Sequence, residues 1–317
     1  MRVVRLALAV LAIAAGAAQA QSWPQKSIRI MVAFPPGGST DIITRTLADK
    51  ISPALGQSVV VENRAGAAGN VGAEVVVKAA PDGHTLLATS DGLASNPHLY
   101  KLSFEPARDL VPIVQFSRQP VVLAAHPSLG VQTIQELVEL AKRQPGLAFA
   151  TSGAGSLQHL AAEWFAQLAG IRLTHVPYKG GGQAVIDLVG GQVPLGSLGN
   201  TPLLPHYRAG KLRILAQTTR ARSASLPDVP TYEEAGFAGL VLDQWLGLFA
   251  PAAAPKEAVL RLNAEIVRAM ADPSIRERFA QNGLDPVGGT PEQFANLYRE
   301  DFEKYGRLVK QLNIRID

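Results

Sequence analysis

Two glycine-rich loops carry the residues whose types and spacing best suit chemistry. Residues 34–41 read FPPGGSTD and residues 151–156 read TSGAGS, and each stretch joins a β-rich run to the start of a helical pattern. Glycines let the backbone approach a ligand closely, and the first N–H groups of a helix lack intrahelical partners and carry the positive end of its dipole. One such loop is also ordinary structure. Two of them predict an anion held by neutral groups across a cleft.

Other chemistry finds little support in the residues. The sequence has no G-x-S-x-G, S-x-x-K, H-E-x-x-H or G-x-x-x-x-G-K-[ST] motif, and its six histidines lack metal-ligand spacing. Gly66, Gly69 and Gly72 follow a G-x-x-G-x-x-G spacing rather than a dinucleotide fingerprint. An exported hydrolase using Ser156 and His159 stays open as an alternative, although residues three apart seldom align for attack without an orienting group. We predict a binding protein with no catalytic residues, metal or cofactor.

The elements that must position the loops alternate between strand and helix. Apolar and β-branched runs predict strands over residues 28–33, 59–61, 85–89, 121–125, 147–151, 173–176 and 213–217. Helical spacing of apolar residues predicts helices over residues 40–55, 133–142, 183–189, 255–272 and 291–312, with further helices opening after Gly66 and after Ser156. This rhythm is typical of parallel sheets covered by helices, and its restart in the second half predicts two α/β lobes.

The first twenty residues predict a secretory signal. Arg2 and Arg5 precede an apolar run of roughly 10 residues, too short to span a bilayer core, and residues 18–20 read AQA, a small-x-small cleavage pattern. We expect cleavage after Ala20. The chain contains no cysteine, which fits an oxidising compartment. We therefore predict a periplasmic protein, with extracellular secretion as the lesser alternative.

The charge balance disfavours a nucleic-acid partner. Lysine and arginine total 30 against 26 aspartate and glutamate residues, and removing residues 1–20 takes away two arginines and no acids. The remaining charges are nearly balanced and scattered, so they form no basic stripe. We expect no nucleic acid among the partners.

Motifs along the whole mature chain resemble those of a known family. In order they are AFPPGGSTDIITR (33–45), VENRAGAAGNVG (61–72), PDGHTLL (81–87), HVPYKG (175–180), GGQV (190–193), LPDVPT (226–231) and WLGLFAP (245–251). Together they resemble the Bug family, the periplasmic receptors related to tripartite tricarboxylate transporters. The resemblance runs from about Pro24 to the carboxyl terminus in the family's order and spacing.

The resemblance implies a type II periplasmic-binding-protein (Venus-flytrap) fold, two α/β lobes around a ligand cleft. It implies that both loops grip a small carboxylate through N–H groups, hydroxyls and bridging waters, and that a monomeric receptor delivers it to membrane transporter subunits. Carried over by position, the candidate ligand-binding residues are Phe34, Gly38, Ser39, Thr40 and Asp41 in the first loop, Ser152, Gly155, Ser156 and His159 in the second, and Ser90 and Asn200 at the far end.

Several of these candidates have a structural alternative. Asp41 can contact the ligand through water or cap its own helix. His159 can bond the backbone of its loop or touch the ligand directly. Residues 195–200 read LGSLGN, without the acid that many family members carry, which favours a non-amino mono- or dicarboxylate over an amino acid. Asp243, before Trp245, departs from the family pattern and could restore a negative charge near the hinge.

The mechanism that this fold implies is hinge closure. We expect the first lobe to comprise residues 22–120 and 245–317, and the second lobe residues 121–244. The crossings near residues 119–120 and 244–245 would act as hinges, and a carboxylate held by both loops would favour the closed form. A receptor of the same fold that senses its ligand and signals to a membrane partner stays open as an alternative function.

Overall fold

The structure is a computed structural model that describes residues 23–316; the predicted signal peptide and its cleavage site lie outside this range. Residues 23–316 form ten strands: β1 Ile28–Val32, β2 Val59–Asn63, β3 Thr85–Ser90, β4 Leu110–Ala125, β5 Leu147–Thr151, β6 Leu173–Pro177, β7 Leu195–Gly199, β8 Arg213–Gln217, β9 Asp243–Pro251 and β10 Asp285–Gly288. The same residues form eleven α-helices: α1 Ser39–Leu55, α2 Asn70–Val77, α3 Gly92–Ser95, α4 Pro106–Asp109, α5 Ile134–Arg143, α6 Leu157–Ala169, α7 Gly181–Val189, α8 Leu204–Arg208, α9 Lys256–Ala271, α10 Pro273–Gln281 and α11 Pro291–Gln311.

The strands form two sheets that share β4. The first has the order β2-β1-β3-β9-β4, with β10 also on β4; β1, β2 and β3 are parallel, and β9 is antiparallel to both neighbours. In the second, β6, β5 and β7 are parallel, and the end of β4 pairs antiparallel with β7 and β8. We call each sheet with its covering helices a lobe, the first and the second in this order.

The strand β4 passes directly from one lobe into the other. Pro120 still pairs with Asp243 of β9 in the first sheet, whereas Val121 pairs with Gly199 of β7 in the second. The chain returns to the first lobe at Asp243, where β9 begins beside β4. The two crossings therefore lie side by side.

Helices pack apolar faces on both sides of each sheet. On one face of the first sheet, α1, α9 and α10 bury residues such as Leu47, Leu262 and Phe279 against Ile30 and Leu248. The opposite face is covered mainly by α2 and α11. Phe294 and Tyr298 of α11 pack against Phe249 of β9. Over residues 23–316, no helix combines the length and the apolar character that crossing a bilayer requires.

The predicted strands and helices are all present within a few residues of their expected ends. The residue pattern did not predict β7, β9, β10, the short helices α3, α4 and α8, the helix α10 or the part of β4 before Val121. It is these missed strands β7 and β9, with β4, that bring the two lobes together beside the loops.

Candidate ligand-binding cleft

The first loop connects β1 to α1 and is held in shape by Asp41. Gly37 has φ +83°, a left-handed conformation that favours glycine. Asp41 accepts hydrogen bonds from the Gly37 N–H at 3.0 Å, from Asn63 Nδ2 at 2.8 Å and from Arg45 Nε at 3.0 Å. Burial alone would raise the pKa of Asp41, but these bonds outweigh it and lower the pKa. The carboxylate is therefore engaged by its own loop.

The second loop connects β5 to α6 and is closed by its own polar side chains. Ser156 caps α6, accepting from the His159 N–H at 3.3 Å and donating to the Gly153 carbonyl at 2.8 Å. His159 Nδ1 accepts from the Gly155 N–H at 3.1 Å, so His159 bonds the backbone of its own loop. Gln158 Oε1 accepts from the Ser152 N–H at 2.9 Å.

A cavity lies between the two loops, and its volume is about 40 Å³. A buried water needs roughly 10–15 Å³, so the cavity has room for about three waters, the size of one carboxylate group. Its lining residues are Phe34, Gly38, Ser39, Thr40, Ser90, Ser152, Gln158, Gly181, Leu198, Gly199, Pro202, Gln244 and Leu246. None of these residues of the described chain carries a charge.

Within residues 23–316, the helices α1, α6 and α7 begin at this cavity. Ser39 and Thr40 belong to the first turn of α1, Gln158 to that of α6 and Gly181 to that of α7. In the described chain no side chain caps α1 or α7, because their N-cap residues are Gly38 and Gly180. Their first N–H groups thus stay available to an anion, and the helix dipoles add to the positive potential.

The structure brings half of the predicted site residues to the cavity. Phe34, Gly38, Ser39, Thr40, Ser90 and Ser152 line it. Asp41, Gly155, Ser156 and His159 lie behind the lining in the two loops.

The other two predicted residues point elsewhere. Asn200 is fully buried and donates to the Gly283 carbonyl at 3.0 Å and to Ser225 Oγ at 3.1 Å. Asp243 lines a separate cavity of about 510 Å³. Burial raises the pKa of Asp243, partly opposed by the charge of Arg118.

Gln158 and Gln244, which are not among the predicted site residues, also line the cavity. Gln158 uses its oxygen for the Ser152 N–H, which leaves its amide N–H₂ as a donor toward the cavity. Gln244 accepts from Gln119 Nε2 at 2.7 Å, and Gln119 in turn accepts from the Thr201 hydroxyl at 2.7 Å. A glutamine two residues after a capping serine was the available signal for Gln158; Gln244 had none, because its strand was missed.

The lobes touch across the mouth of the cleft. The Tyr100 hydroxyl of the first lobe donates to the Ala154 carbonyl at 2.7 Å, and Ser95 Oγ donates to the Gly155 carbonyl at 2.8 Å. A Cβ built on Gly180 would lie 2.2 Å from Pro35 Cδ of the first lobe. The two lobes are therefore in direct contact beside the two loops.

The chain is similar to curated bacterial proteins over nearly its whole length. It is 38% identical over 312 residues to a UPF0065 protein of Pseudomonas sp. strain P51, which covers 98% of this chain and 93% of that protein. It is 36% identical over 304 residues to BugT of Bordetella pertussis, with 94% and 92% covered.

Solved structures share the fold at similar identity. The periplasmic binding protein BugD matches with a TM-score of 0.89 and 32% identity, covering 92% of this chain and 99% of that one. Rpa4515 of R. palustris, solved with adipate, matches with a TM-score of 0.89 and 31% identity, covering 93% and 99%. MatC of Rhodopseudomonas palustris, solved with malate, matches with a TM-score of 0.85 and 30% identity, covering 90% and 100%.

The two-lobe fold with a cleft between paired loops defines a periplasmic binding protein, and the predicted fold class is confirmed. The family model of the tripartite tricarboxylate transporter family receptors, TctC, matches residues 43–314. The chain belongs to this family, and the resemblance to Bug proteins is confirmed. It is accordingly a solute-binding protein and not an enzyme. Family members are periplasmic and work with membrane transporter components.

Proposed function

We propose that this protein is a periplasmic receptor that closes on a small mono- or dicarboxylate and delivers it to a tripartite tricarboxylate-type membrane transporter. The observation that carries the proposal is the uncharged cavity where α1, α6 and α7 begin. Neutral donors and helix dipoles stabilise an anion there without a buried cation. The similar structures solved with adipate and malate support a carboxylate ligand.

In this proposal the lining residues hold the ligand and the residues behind them hold the loops. Ser39, Thr40, Ser90 and Ser152 offer hydroxyl donors, and the first turn of α1 adds N–H donors, with Gly38 allowing close approach and bridging waters completing the contacts. Phe34 forms an apolar wall. The loop-shaping residues are Asp41, Gly155, Ser156 and His159.

The absence of charged side chains among the described lining residues also indicates which class of carboxylate fits the cavity. An ammonium group would find no carboxylate among the lining residues, so a non-amino carboxylate fits better than an amino acid. Asp243 does not change this, since it lines the other cavity. The small volume favours short ligands, and a longer one must hold the lobes further apart.

The proposed lobes are residues 22–120 with 245–317, and residues 121–244. The change of sheet between Pro120 and Val121, and the return at Asp243, support hinges at these two crossings. One core cluster lies wholly in the first lobe and another wholly in the second, so each lobe can move as a unit. A further cluster packs Leu157 and Leu160 of α6 against the first lobe, and this contact must loosen when the cleft opens. We further propose a monomer, exported with cleavage after Ala20.

A thermal-shift screen of the chain from Gln21 tests the function. The panel comprises acetate, malonate, succinate, malate, adipate and citrate, with glutamate as the amino-acid comparison. A ligand at 100 times its Kd adds about 2.7 kcal/mol, which raises Tm by several degrees. A shift with one or more non-amino carboxylates is expected; no shift with any of them would contradict the proposal.

A paired variant then tests the loops. Removing both hydroxyls in Ser39→Ala/Ser152→Ala is expected to weaken carboxylate binding by roughly tenfold or more, at about 1 kcal/mol per lost hydrogen bond. The matched control is Ser27→Ala/Ser58→Ala, which removes a surface hydroxyl pair joined at 2.8 Å outside the cleft. Equal affinity in the two double variants would refute the two-loop grip.

A further inference from the structure

A buried carboxyl group lies directly behind the wall of the cleft. Asp91 follows Ser90 at the end of β3, is fully buried, and its N–H donates to the Trp245 carbonyl at 3.3 Å. Neither carboxyl oxygen of Asp91 makes a hydrogen bond of good geometry among residues 23–316, and the side chain of Gln244 on β9 is the hydrogen-bonding group that interacts with it. Asp91 stands at the N-cap of α3 without using its side chain as a cap. The fold therefore gives this buried carboxyl only weak polar support.

The surroundings of Asp91 disfavour its negative charge. On α11, Asp301 is buried and accepts from Trp245 Nε1 at 2.8 Å, and the hydroxyl of the fully buried Tyr305 also interacts with Asp301. Burial, followed by the charge of Asp301, raises the pKa of Asp91 to about 8. Gln244 on β9 and Lys304 on α11 oppose the shift without cancelling it.

The remaining titratable groups near this cluster are few in the described chain. Burial is the main cause that keeps the pKa of Tyr305 well above its usual range, and the charge of Asp243 on β9 adds to this shift. His98, from the short 3₁₀-helix Asn96–His98, packs on α11 through the Phe302 carbonyl at 2.7 Å. The helix α3 itself contains no charged residue. No nearby cation is hydrogen-bonded to Asp91 to stabilise its ionised form.

The cluster is next to the proposed anion site. Ser90, the residue before Asp91, lines the cavity, and so does Gln244, whose side chain interacts with Asp91. The cavity lining among residues 23–316 provides no positive side chain to screen one charge from the other. A carboxylate bound in the cleft and an ionised Asp91 would therefore repel each other through the buried wall of the cleft.

We propose that Asp91 is a proton-binding site coupled to the cleft, so that the receptor binds its carboxylate with Asp91 in the neutral acid form. At a pH at which Asp91 is ionised in the free protein, ligand binding is accompanied by the uptake of one proton from solvent onto Asp91. At a pH at which Asp91 is already neutral, ligand binding takes up no proton. This inference rests on the proposed function, because it needs an anionic ligand. By linkage, the proton and the carboxylate each strengthen the binding of the other.

Calorimetry with the tightest binder of the carboxylate panel tests the coupling. At each pH, titrations in two zwitterionic or cationic buffers that have pKa values near that pH but different ionisation enthalpies report the protons taken up on binding. The wild-type protein is expected to take up close to one proton at about pH 9 and none at about pH 6, with affinity falling up to about tenfold per pH unit above pH 8. Binding at about pH 9 without proton uptake would overturn the inference and leave the proposed function intact.

Three variants locate the proton. Asp91→Asn mimics the neutral acid, so it should bind at about pH 9 as tightly as the wild type does at about pH 6, with no proton uptake. Asp301→Asn removes a repelling charge and should move the pH midpoint downward. Asp49→Asn, an exposed acid on α1, should behave as wild type. Proton uptake that persists in Asp91→Asn would overturn the assignment, and a panel in which nothing binds would overturn the proposed function as well.

Discussion

A single methyl group at Gly180 should prevent full closure of the cleft. Gly180 stands before α7 in the second lobe, and a Cβ there would lie 2.2 Å from Cδ and 2.8 Å from Cγ of Pro35 in the first lobe. Ordinary contacts begin near 3.4 Å, so the lobes must separate by about 1.2 Å at this point. Overpacking of this kind costs about 1–3 kcal/mol, which weakens binding about 5- to 150-fold when only the closed form suffers.

The assay for Gly180→Ala combines calorimetry with X-ray scattering. We expect weaker carboxylate binding and a ligand-bound radius of gyration larger than that of the wild type. Gly180 has φ +157°, so alanine also strains the backbone locally. Gly170→Ala is the matched control, because Gly170 has φ +62° in the same lobe and its Cβ would meet nothing within 4 Å.

A second substitution separates the clash from the strain. Pro35→Ala removes the ring atoms that the new methyl would strike, so Pro35→Ala/Gly180→Ala should recover most of the affinity lost in Gly180→Ala alone. Wild-type affinity in Gly180→Ala, or a loss that Pro35→Ala does not relieve, would refute the reasoning that these loops meet only on closure.

Three further predictions follow from individual side chains. Gln158→Leu leaves the Ser152 N–H without its acceptor, so carboxylate affinity should fall about tenfold or more by calorimetry, at 1–3 kcal/mol for a lost buried partner. Asp91 has a raised pKa, so its contribution to stability is lost as pH rises toward about 8, and Asp91→Asn should have a Tm several degrees higher than wild type above that pH. Burial, reinforced by the charge of His159, lowers the pKa of His175 to about 3, so the wild type should lose stability as pH falls below about 6.5, and His175→Gln should lose less in acid unfolding curves.

The first loop and its helix were predictable because local chemistry determines them. Glycine at positions 37 and 38 and hydroxyls at positions 39 and 40 mark a turn into a helix start, and the structure has α1 beginning at Ser39. The same holds for Ser156, which caps α6. Such signals act over a few residues, so they survive in the sequence alone.

The strands that join the lobes were less predictable because tertiary context determines them. Pro112 and Pro120, with polar Gln115, Arg118 and Gln119, interrupt the apolar pattern of β4. The register of β4 against β9 shifts near Pro112, which lets a proline sit in a long strand. Gln244 and Asp91 were missed for the same reason, since their roles come from packing between distant segments.

The neutral cavity distributes anion binding over many weak donors, and this changes which residues matter most. Each lining hydroxyl, such as Ser39 or Ser152, contributes about 1 kcal/mol, and its neighbours remain when it is lost. Asp41 and His159 are not among the residues that line the cavity between the loops, yet each holds a backbone N–H of its loop in place through a hydrogen bond. Because a helix start binds an anion only when several N–H groups point at it together, the residues behind the wall determine the site as much as those that line it.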